Sequence, residues 1–164
     1  MRRIVVLGCA GTGKTTFARA LARRIGAPAI VLDDIWRPGW GPGDATVFRD
    51  LLAEAHAADA WVSDGNFAAV SFDLRLPRAD LVVWLERSRR VCLWRAAGRV
   101  FRRGEAHQPA DLAKVFAFIW NFDRVNRPRI EAGLTAHGPT VPIVRLRSDE
   151  AAAAFLAKST PVSA

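Results

Sequence analysis

Lysine is scarce in this chain. Of 24 basic residues in 164, only Lys14, Lys114 and Lys158 carry an ammonium, and the rest are arginine. A lysine kept at position 14 against that background marks a place where a compact point charge is wanted rather than a forked guanidinium. Cysteine is scarcer still: Cys9 and Cys92 show no metal-ligand spacing and no disulfide framework. No apolar run approaches the ~18 residues of a membrane span, so no membrane partner is expected. The opening Arg2-Arg3 before Ile4-Val5-Val6-Leu7 is too short for a secretory leader, and the cytoplasm is the expected compartment. Internal repeats, linkers and low-complexity segments are missing, apart from an alanine-rich end. What is present is ordinary for a globular protein, 51% hydrophobic and 24% charged, and long enough to bury a core as one domain over 1–164. The net charge of +8 admits nucleic acid, an anionic membrane or phosphorylated ligands as partners.

The first fifteen residues are the most informative. Ile4 to Leu7 is a short run of branched apolar residues and reads as a buried strand. Phe17, Ala18, Leu21, Ala22 and Ile25 then recur at helical spacing. Between them, Gly8-Cys9-Ala10-Gly11-Thr12-Gly13-Lys14-Thr15 fits G-x-x-x-x-G-K-[ST], the phosphate-binding loop of NTPases. Gly8, Gly11 and Gly13 let the backbone turn tightly, so that successive N–H groups point at an anion. The positive end of the following helix adds to the same spot. Lys14 can reach the β- and γ-phosphates, and the Thr15 hydroxyl can ligate Mg²⁺. Thr12 and Thr16 complete the expected nucleotide-binding set. Cys9 lies inside the loop, where it serves as a small filler or as a thiol whose oxidation would block nucleotide binding.

Further along, strands and helices alternate. A helix is predicted over 14–25, a strand over 29–32 ending at Asp33-Asp34, and a turn-rich loop over 35–43. Asp44 is expected to cap a helix reaching about residue 58, with Val47, Leu51, Leu52 and Ala55 inward. A strand over 60–63 ends at Asp64-Gly65-Asn66, a loop leads to Leu74, and 80–86 is the fourth strand. Helices are predicted over 88–102 and 110–134, the second interrupted or restarted at Pro128. The fifth strand, 141–146, is entered through Pro139 and Pro142 and so belongs at an edge. Residues 149–158 close the chain as a helix. This alternation, with several strands apolar throughout, argues for an α/β parallel sheet with helices on both faces. Ligands of such sheets bind at the carboxyl ends of the strands, which puts Gly8–Thr15, Asp33, Asp34, Asp64 and Glu86 along one rim.

On that rim Asp64 is expected near Mg²⁺, with a turn-starting role as the alternative. Asp33 or Asp34 could hold an acceptor hydroxyl or act as general base, and Asp33 is taken here as the catalytic and substrate-binding candidate. Trp36 and Trp40 could stack on a planar or sugar acceptor, or simply cover the edge of the core. Arginine clusters at positions 87, 89, 90, 95, 99, 102 and 103. Arg95, Arg99 and Arg102 form one helical stripe beside an apolar side of Val91, Trp94 and Phe101. Such a stripe ahead of a Gly/Pro-bounded loop reads as a lid over about 98–112 that brings guanidinium groups onto transferring phosphates, or as a solvated basic face. Arg124, Arg127 and Arg129 form a second group that could face the same cleft.

These segments resemble a known family. The Gly8–Thr15 loop, Trp36-Arg37-Pro38-Gly39-Trp40, Asp64-Gly65-Asn66, Leu74-Arg75-Leu76-Pro77-Arg78, Cys92-Leu93-Trp94-Arg95 and Arg127-Pro128-Arg129-Ile130 appear in that order. Together they look like the adenylate-kinase-related P-loop proteins labelled topology modulation (FlaR-type) proteins. The resemblance implies a three-layer P-loop NTPase fold, a five-stranded parallel sheet in the order 2-3-1-4-5, a short arginine-rich lid and ATP as donor. It also implies that Arg95 lies against the adenine or the phosphates, and that Arg75 and the lid arginines Arg99 and Arg102 contact the acceptor or the transferring group. Asn66-Phe67-Ala68 departs from the aromatic-Pro-Arg that nucleotide kinases place there, so the arginine that would hold a nucleotide monophosphate is displaced or absent, with Arg75 as the candidate.

Two functions follow. One is a kinase that transfers the γ-phosphoryl group of Mg·ATP to a small-molecule or nucleotide acceptor, by positioning and charge neutralisation. The other is an ATP-binding or ATP-hydrolysing regulator that contacts nucleic acid through its arginine-rich helices. The placement of arginines after the fourth strand, rather than along a tail, favours the kinase. A GTPase is disfavoured because no Asn-Lys-x-Asp segment is present.

Overall fold

The computed structural model describes residues 1–37, 39–103 and 109–161, with side chains throughout these except at 42, 99–103 and 109–112. Its centre is β1 (Arg3–Gly8), whose Ile4 and Val6 face one side of the sheet while Val5 and Leu7 face the other, the period of two that a strand imposes. Both faces are apolar because both are covered. Around β1 run β2 (Ala29–Val31), β3 (Trp61–Asp64), β4 (Leu81–Leu85) and β5 (Ile143–Leu146), all parallel, in the order β2-β3-β1-β4-β5. This is the expected five-stranded α/β sheet and its expected order. β5 lies at the edge, with Ile143 exposed and Pro142 contributing only its carbonyl, to the Val82 N–H.

On the Ile4/Val6 face pack α1 (Lys14–Ile25), through Phe17, Leu21 and Ile25, and α8 (Asp149–Lys158), through Phe155. α8 carries a Ser148 cap whose hydroxyl accepts the Ala151 N–H. The Val5/Leu7 face is covered by α3 (Ala45–Ala55), α4 (Ala68–Arg75), α6 (Pro109–Asn121) and α7 (Arg127–His137), through Phe48, Leu52, Phe72, Ile119, Ile130 and Leu134. α5 (Arg89–Arg103) follows β4 and puts Cys92 and Ala96 into the same core.

Several local expectations change. The segment after β2 is not a strand running into a loop: Leu32–Ile35 forms a helical turn, α2, which carries Asp33 and Asp34. The stretch read as a loop after Asn66 contains α4, whose Ser71, Phe72 and Arg75 share one buried face. Asp44 does not cap α3; its carboxylate accepts the Gly41 N–H at 2.8 Å within a tight turn over Pro42–Asp44. The buried face of α3 is carried by Phe48 and Leu52, and Val47 is exposed. Trp94 is exposed, because the burial of α5 is carried by Cys92 and Ala96 two residues to either side. Between α6 and α7 the helix loosens into a π turn over Phe122–Asn126, and Pro128 sits in the first turn of α7, where its missing N–H leaves no bond unmade. Among the described residues no helix is long and apolar enough to cross a membrane.

Candidate active site

Register brings the loop and the acidic strand end together. β1 and β3 pair so that Val6 lies beside Asp64, two residues before the loop begins at Gly8. The loop then turns through positive φ at Gly8, Gly11 and Gly13. Gly11 has a second reason to lack a side chain: a Cβ there would stand 2.4 Å from the Cys92 carbonyl oxygen. The Cys9 carbonyl gathers three donors, the Thr12 N–H at 3.3 Å, the Thr12 hydroxyl at 2.8 Å and Lys14 Nζ at 3.1 Å. α1 starts on Gly13 with no side-chain cap and no acid in its first turn. Its leading N–H groups are therefore left for an anion. Thr16 lies in the same first turn, exposed.

Asp64 is buried at the floor. The Thr15 hydroxyl donates to its Oδ2 at 2.5 Å, and its Oδ1 makes no hydrogen bond. Burial pushes the Asp64 carboxyl up, and Lys14 and the Thr15 hydroxyl oppose that. A buried carboxylate oxygen with no partner, beside a threonine hydroxyl and a lysine, fits Mg²⁺. That ion takes one or two carboxylates and completes its shell with phosphate and water oxygens. Among the described residues no cluster of three His, Cys, Asp or Glu could form an all-protein metal cage instead.

Asn66, two residues on, grips the loop. Its Oδ1 accepts the Gly8 N–H at 3.1 Å and its Nδ2 donates to the Gly8 carbonyl at 2.9 Å. Next to it Phe67 holds φ of 35°, a left-handed conformation unusual for an aromatic residue. It aims the 65–70 segment along one wall of a cleft of about 800 Å³ that opens over Lys14 and Asp33. Phe118, Asn126, Arg129, Ile130, Gly133 and His137 form the opposite wall. A volume of that size, with mostly apolar walls and a few polar groups, suits a small molecule. The α7 wall is one helix face at spacings of three and four, legible in outline from Asn126, Arg129/Ile130, Gly133 and His137. Nothing in the sequence says which neighbour that face meets.

The remaining candidates separate. Asp33 lines the cleft, whereas Asp34 turns outward and pairs with Arg19 at 3.1 Å. Trp36 and Trp40 do not present stacking faces to the cleft. Trp36 meets Trp40, Phe48 and Phe67 with ring centroids 5.7, 5.1 and 6.1 Å away, so it backs the Phe67 wall rather than lining it. Of the two roles expected for them, covering the edge of the core fits these contacts. The acceptor role of Arg75 is corrected: it is fully buried beneath the turn, donating to Ser63 Oγ at 3.2 Å and to the Gly65 and Asn66 carbonyls at 2.9 and 2.8 Å. Burial lowers its guanidinium to about 9 against the opposing pull of Asp64. It cannot reach an acceptor without giving up its bonds to three oxygens, two of them backbone carbonyls.

Arg95 pairs with Asp149 at the start of α8, 2.5 Å away. Glu86, also on the rim, is held by Arg127, Arg145 and Arg147. Burial would raise its carboxyl, but the three guanidiniums outweigh that and bring it to about 2. Arg127 is thereby committed to an ion-pair cluster, while Arg129 faces the cleft. The side chains of Arg99 and Arg102, and most of the expected lid over 98–112, lie outside the described residues.

No protein-family model matches the chain, and no curated protein matches it. Solved structures do. A shikimate kinase from Acinetobacter baumannii, in complex with shikimate, superposes with a TM-score of 0.66 at 19% identity, covering 96% of this chain and 90% of that one. The fold is that of the P-loop kinases. A shikimate kinase from Bacteroides thetaiotaomicron (TM-score 0.62, 19% identity, 96% and 95% covered) and a gluconokinase from Sinorhizobium meliloti 1021 (0.57, 20%, 96% and 92%) share it. At these identities the likeness concerns the fold, and the chemistry must come from the residues of this chain.

Proposed function

We propose that the protein is a cytoplasmic P-loop kinase that transfers the γ-phosphoryl group of Mg·ATP to a small acceptor held in the cleft over Asp33. The observation that carries this reading is the part-buried Thr15–Asp64 contact, 2.5 Å long, next in sequence to Lys14, which lines a cleft of about 800 Å³. A regulator that only bound nucleotide would have no need of an acceptor cleft lined by Asp33 beside the loop. The solved kinases of the same fold add support, as does the resemblance to topology modulation proteins carried by the Trp36–Trp40 and Asp64–Asn66 segments.

The loop amides from Gly8 to Thr15 and the α1 N-terminus hold the donor phosphates, with Lys14 leaving the Cys9 carbonyl to meet them. Thr15 and Asp64 would hold Mg²⁺, which when bound offsets charge on the β- and γ-phosphate oxygens. Asp33 orients the acceptor hydroxyl and takes its proton as the oxygen attacks. Phe67, Phe118 and Ile130 exclude water from the transferring group. The family resemblance assigns Arg99 and Arg102 to the transferring phosphates, and Arg95 would have to leave Asp149 to meet the nucleotide. Nucleic-acid binding has less support: Arg87, Arg89, Arg127, Arg145 and Arg147 are already paired with acidic side chains.

The deciding experiment is ADP release from Mg·ATP across nucleoside monophosphates, nucleosides, sugars, hydroxy acids and short DNA, with Lys14→Ala as blank. Stimulation by one small acceptor, lost in Lys14→Ala and in Asp33→Asn, is the expected result. Stimulation by DNA alone, fading with salt, would replace the kinase by the regulator.

A further inference from the structure

Cys9 and Cys92 have no part in that reaction, yet they meet at its most sensitive point. Cys9 is the second residue of the loop and its carbonyl anchors Thr12 and Lys14. Cys92 lies 83 positions on, in the first turn of α5. The two free thiols are buried in one core cluster. The loop that carries Cys9 is also brought close to the backbone of α5 at Cys92. The Cβ that Gly11 lacks would lie 2.9 Å from Cys92 Cα, so the loop rests directly on α5 at this residue. Close backbone approach is what a disulfide requires. A crevice of about 20 Å³ is lined by both cysteines, with Thr12, Arg87 and Arg89 among its other neighbours. It exceeds the roughly 10–15 Å³ that one water needs, so it admits a molecule little larger than water.

We propose that Cys9 and Cys92 are a thiol-oxidation site at which hydrogen peroxide forms a disulfide that draws the phosphate loop onto α5 and disables nucleotide binding. This rests on the reading of Gly8–Thr15 as a nucleotide loop. The Cys92 sulfur attacks one peroxide oxygen, the O–O bond breaks, and the departing hydroxide takes a proton to leave as water. Cys92 is then a sulfenic acid. The Cys9 sulfur attacks the Cys92 sulfur, the S–O bond breaks, and a second water leaves with the Cys9 proton. Two thiols lose two electrons in total, and one peroxide is reduced to two waters.

The roles are unequal for a physical reason. The side chain of Cys9, followed by the positive fields of Lys14, Arg95 and Arg87, holds the Cys92 thiol below its ordinary range despite its burial. Cys9 is pushed the other way by Cys92 and by burial. Cys92 is the attacking sulfur and Cys9 the resolving one. Forming the bond moves Cys9, and with it the carbonyl that sets Thr12 and Lys14.

The test compares reduced and peroxide-treated full-length protein by non-reducing mass spectrometry and by calorimetric Mg·ATP titration. The expected result is a loss of about 2 Da. The tryptic peptide 4–14 should be linked to the peptide 91–95. Mg·ATP affinity should fall by roughly tenfold or more and return with a thiol reductant. Cys92→Ser should bind Mg·ATP as the reduced protein does and resist peroxide. Should that variant fail to fold, the peptide map of the natural chain still decides the bond. Additions of about 16 or 32 Da on separate cysteines, without the linked peptide, would overturn the disulfide. A linked peptide with unchanged affinity would overturn its effect on the loop. A reduced protein that bound no Mg·ATP would instead defeat the nucleotide reading and the regulatory half of the proposal, while the peptide map would still report on the bond.

Discussion

Asn66 holds Gly8 at both of its backbone polar groups, accepting from the N–H at 3.1 Å and donating to the carbonyl at 2.9 Å. The pair is 58 residues apart in sequence, and it locks the start of the phosphate loop to the turn that follows Asp64. Asn66→Ala removes both bonds, so Mg·ATP affinity should fall by about tenfold in calorimetric titration. Asn66→Asp keeps an acceptor for the Gly8 N–H but sets a carboxylate against the Gly8 carbonyl, and should fall as far or further. A lower melting temperature with unchanged affinity would mean that the clamp serves only the fold.

Arg75 should behave as a structural residue. Replacing it by Met leaves Ser63 Oγ and the Gly65 and Asn66 carbonyls without their donor, a loss of about 2–4 kcal/mol of stability. Denaturant unfolding measures this directly. The acceptor KM of whatever folded enzyme remains should move no more than the ATP KM, because both depend on the turn. A selective rise in acceptor KM would return Arg75 to the cleft.

Below neutrality, His56 governs part of the stability. It is buried, its Nδ1 donates to the Leu52 carbonyl at 2.7 Å, and its Nε2 accepts from Ser63 Oγ at 2.8 Å, which fixes the neutral tautomer. Burial first, then Arg75 and Arg78, lower it from 6.5 to about 4, against the Leu52 bond. The unfolded chain takes up the proton first, so this contribution is complete above about 6.5 and is lost as pH falls toward 4. His56→Gln should flatten the unfolding free energy across that window. An unchanged slope would place the pH dependence elsewhere.

Gly11→Ala tests the close approach of loop and helix. A methyl group at φ of 82° and 2.4 Å from the Cys92 carbonyl oxygen forces the loop off α5. The expected cost is about 2–4 kcal/mol, with Mg·ATP binding lost in the folded fraction. Normal binding in a stable variant would show that the contact is loose.

How much was readable beforehand depended on the range of the interaction. The strand-loop-helix at Ile4 to Ile25 is local, set by a run of branched residues, three glycines and a helical stripe, so its residues announced it. The order of the sheet was implied by family resemblance rather than by composition. The acidic residues at strand ends were visible in the chain, but Asp33 and Asp34 look alike there. The α2 turn separates them, aiming one at the cleft and the other at Arg19. α4 escaped notice because it is short and enters through the left-handed Phe67, which no local signal demands.

Sequence by itself determined the phosphate loop, the parallel α/β class and the edge position of the last strand. Each follows from neighbouring residues through backbone geometry, apolar periodicity or a proline's missing donor. Tertiary structure alone decided which polar side chains face the cleft and which are buried as braces. Arg75 and Arg129 carry the same charge, yet one lies under the 65–66 turn and the other lines the cleft. Trp36 reads as a stacking platform or a core cover, and its ring contacts with Trp40, Phe48 and Phe67 favour the second. Such assignments depend on which helix faces meet across the sheet, a long-range packing outcome that residue type and spacing do not encode.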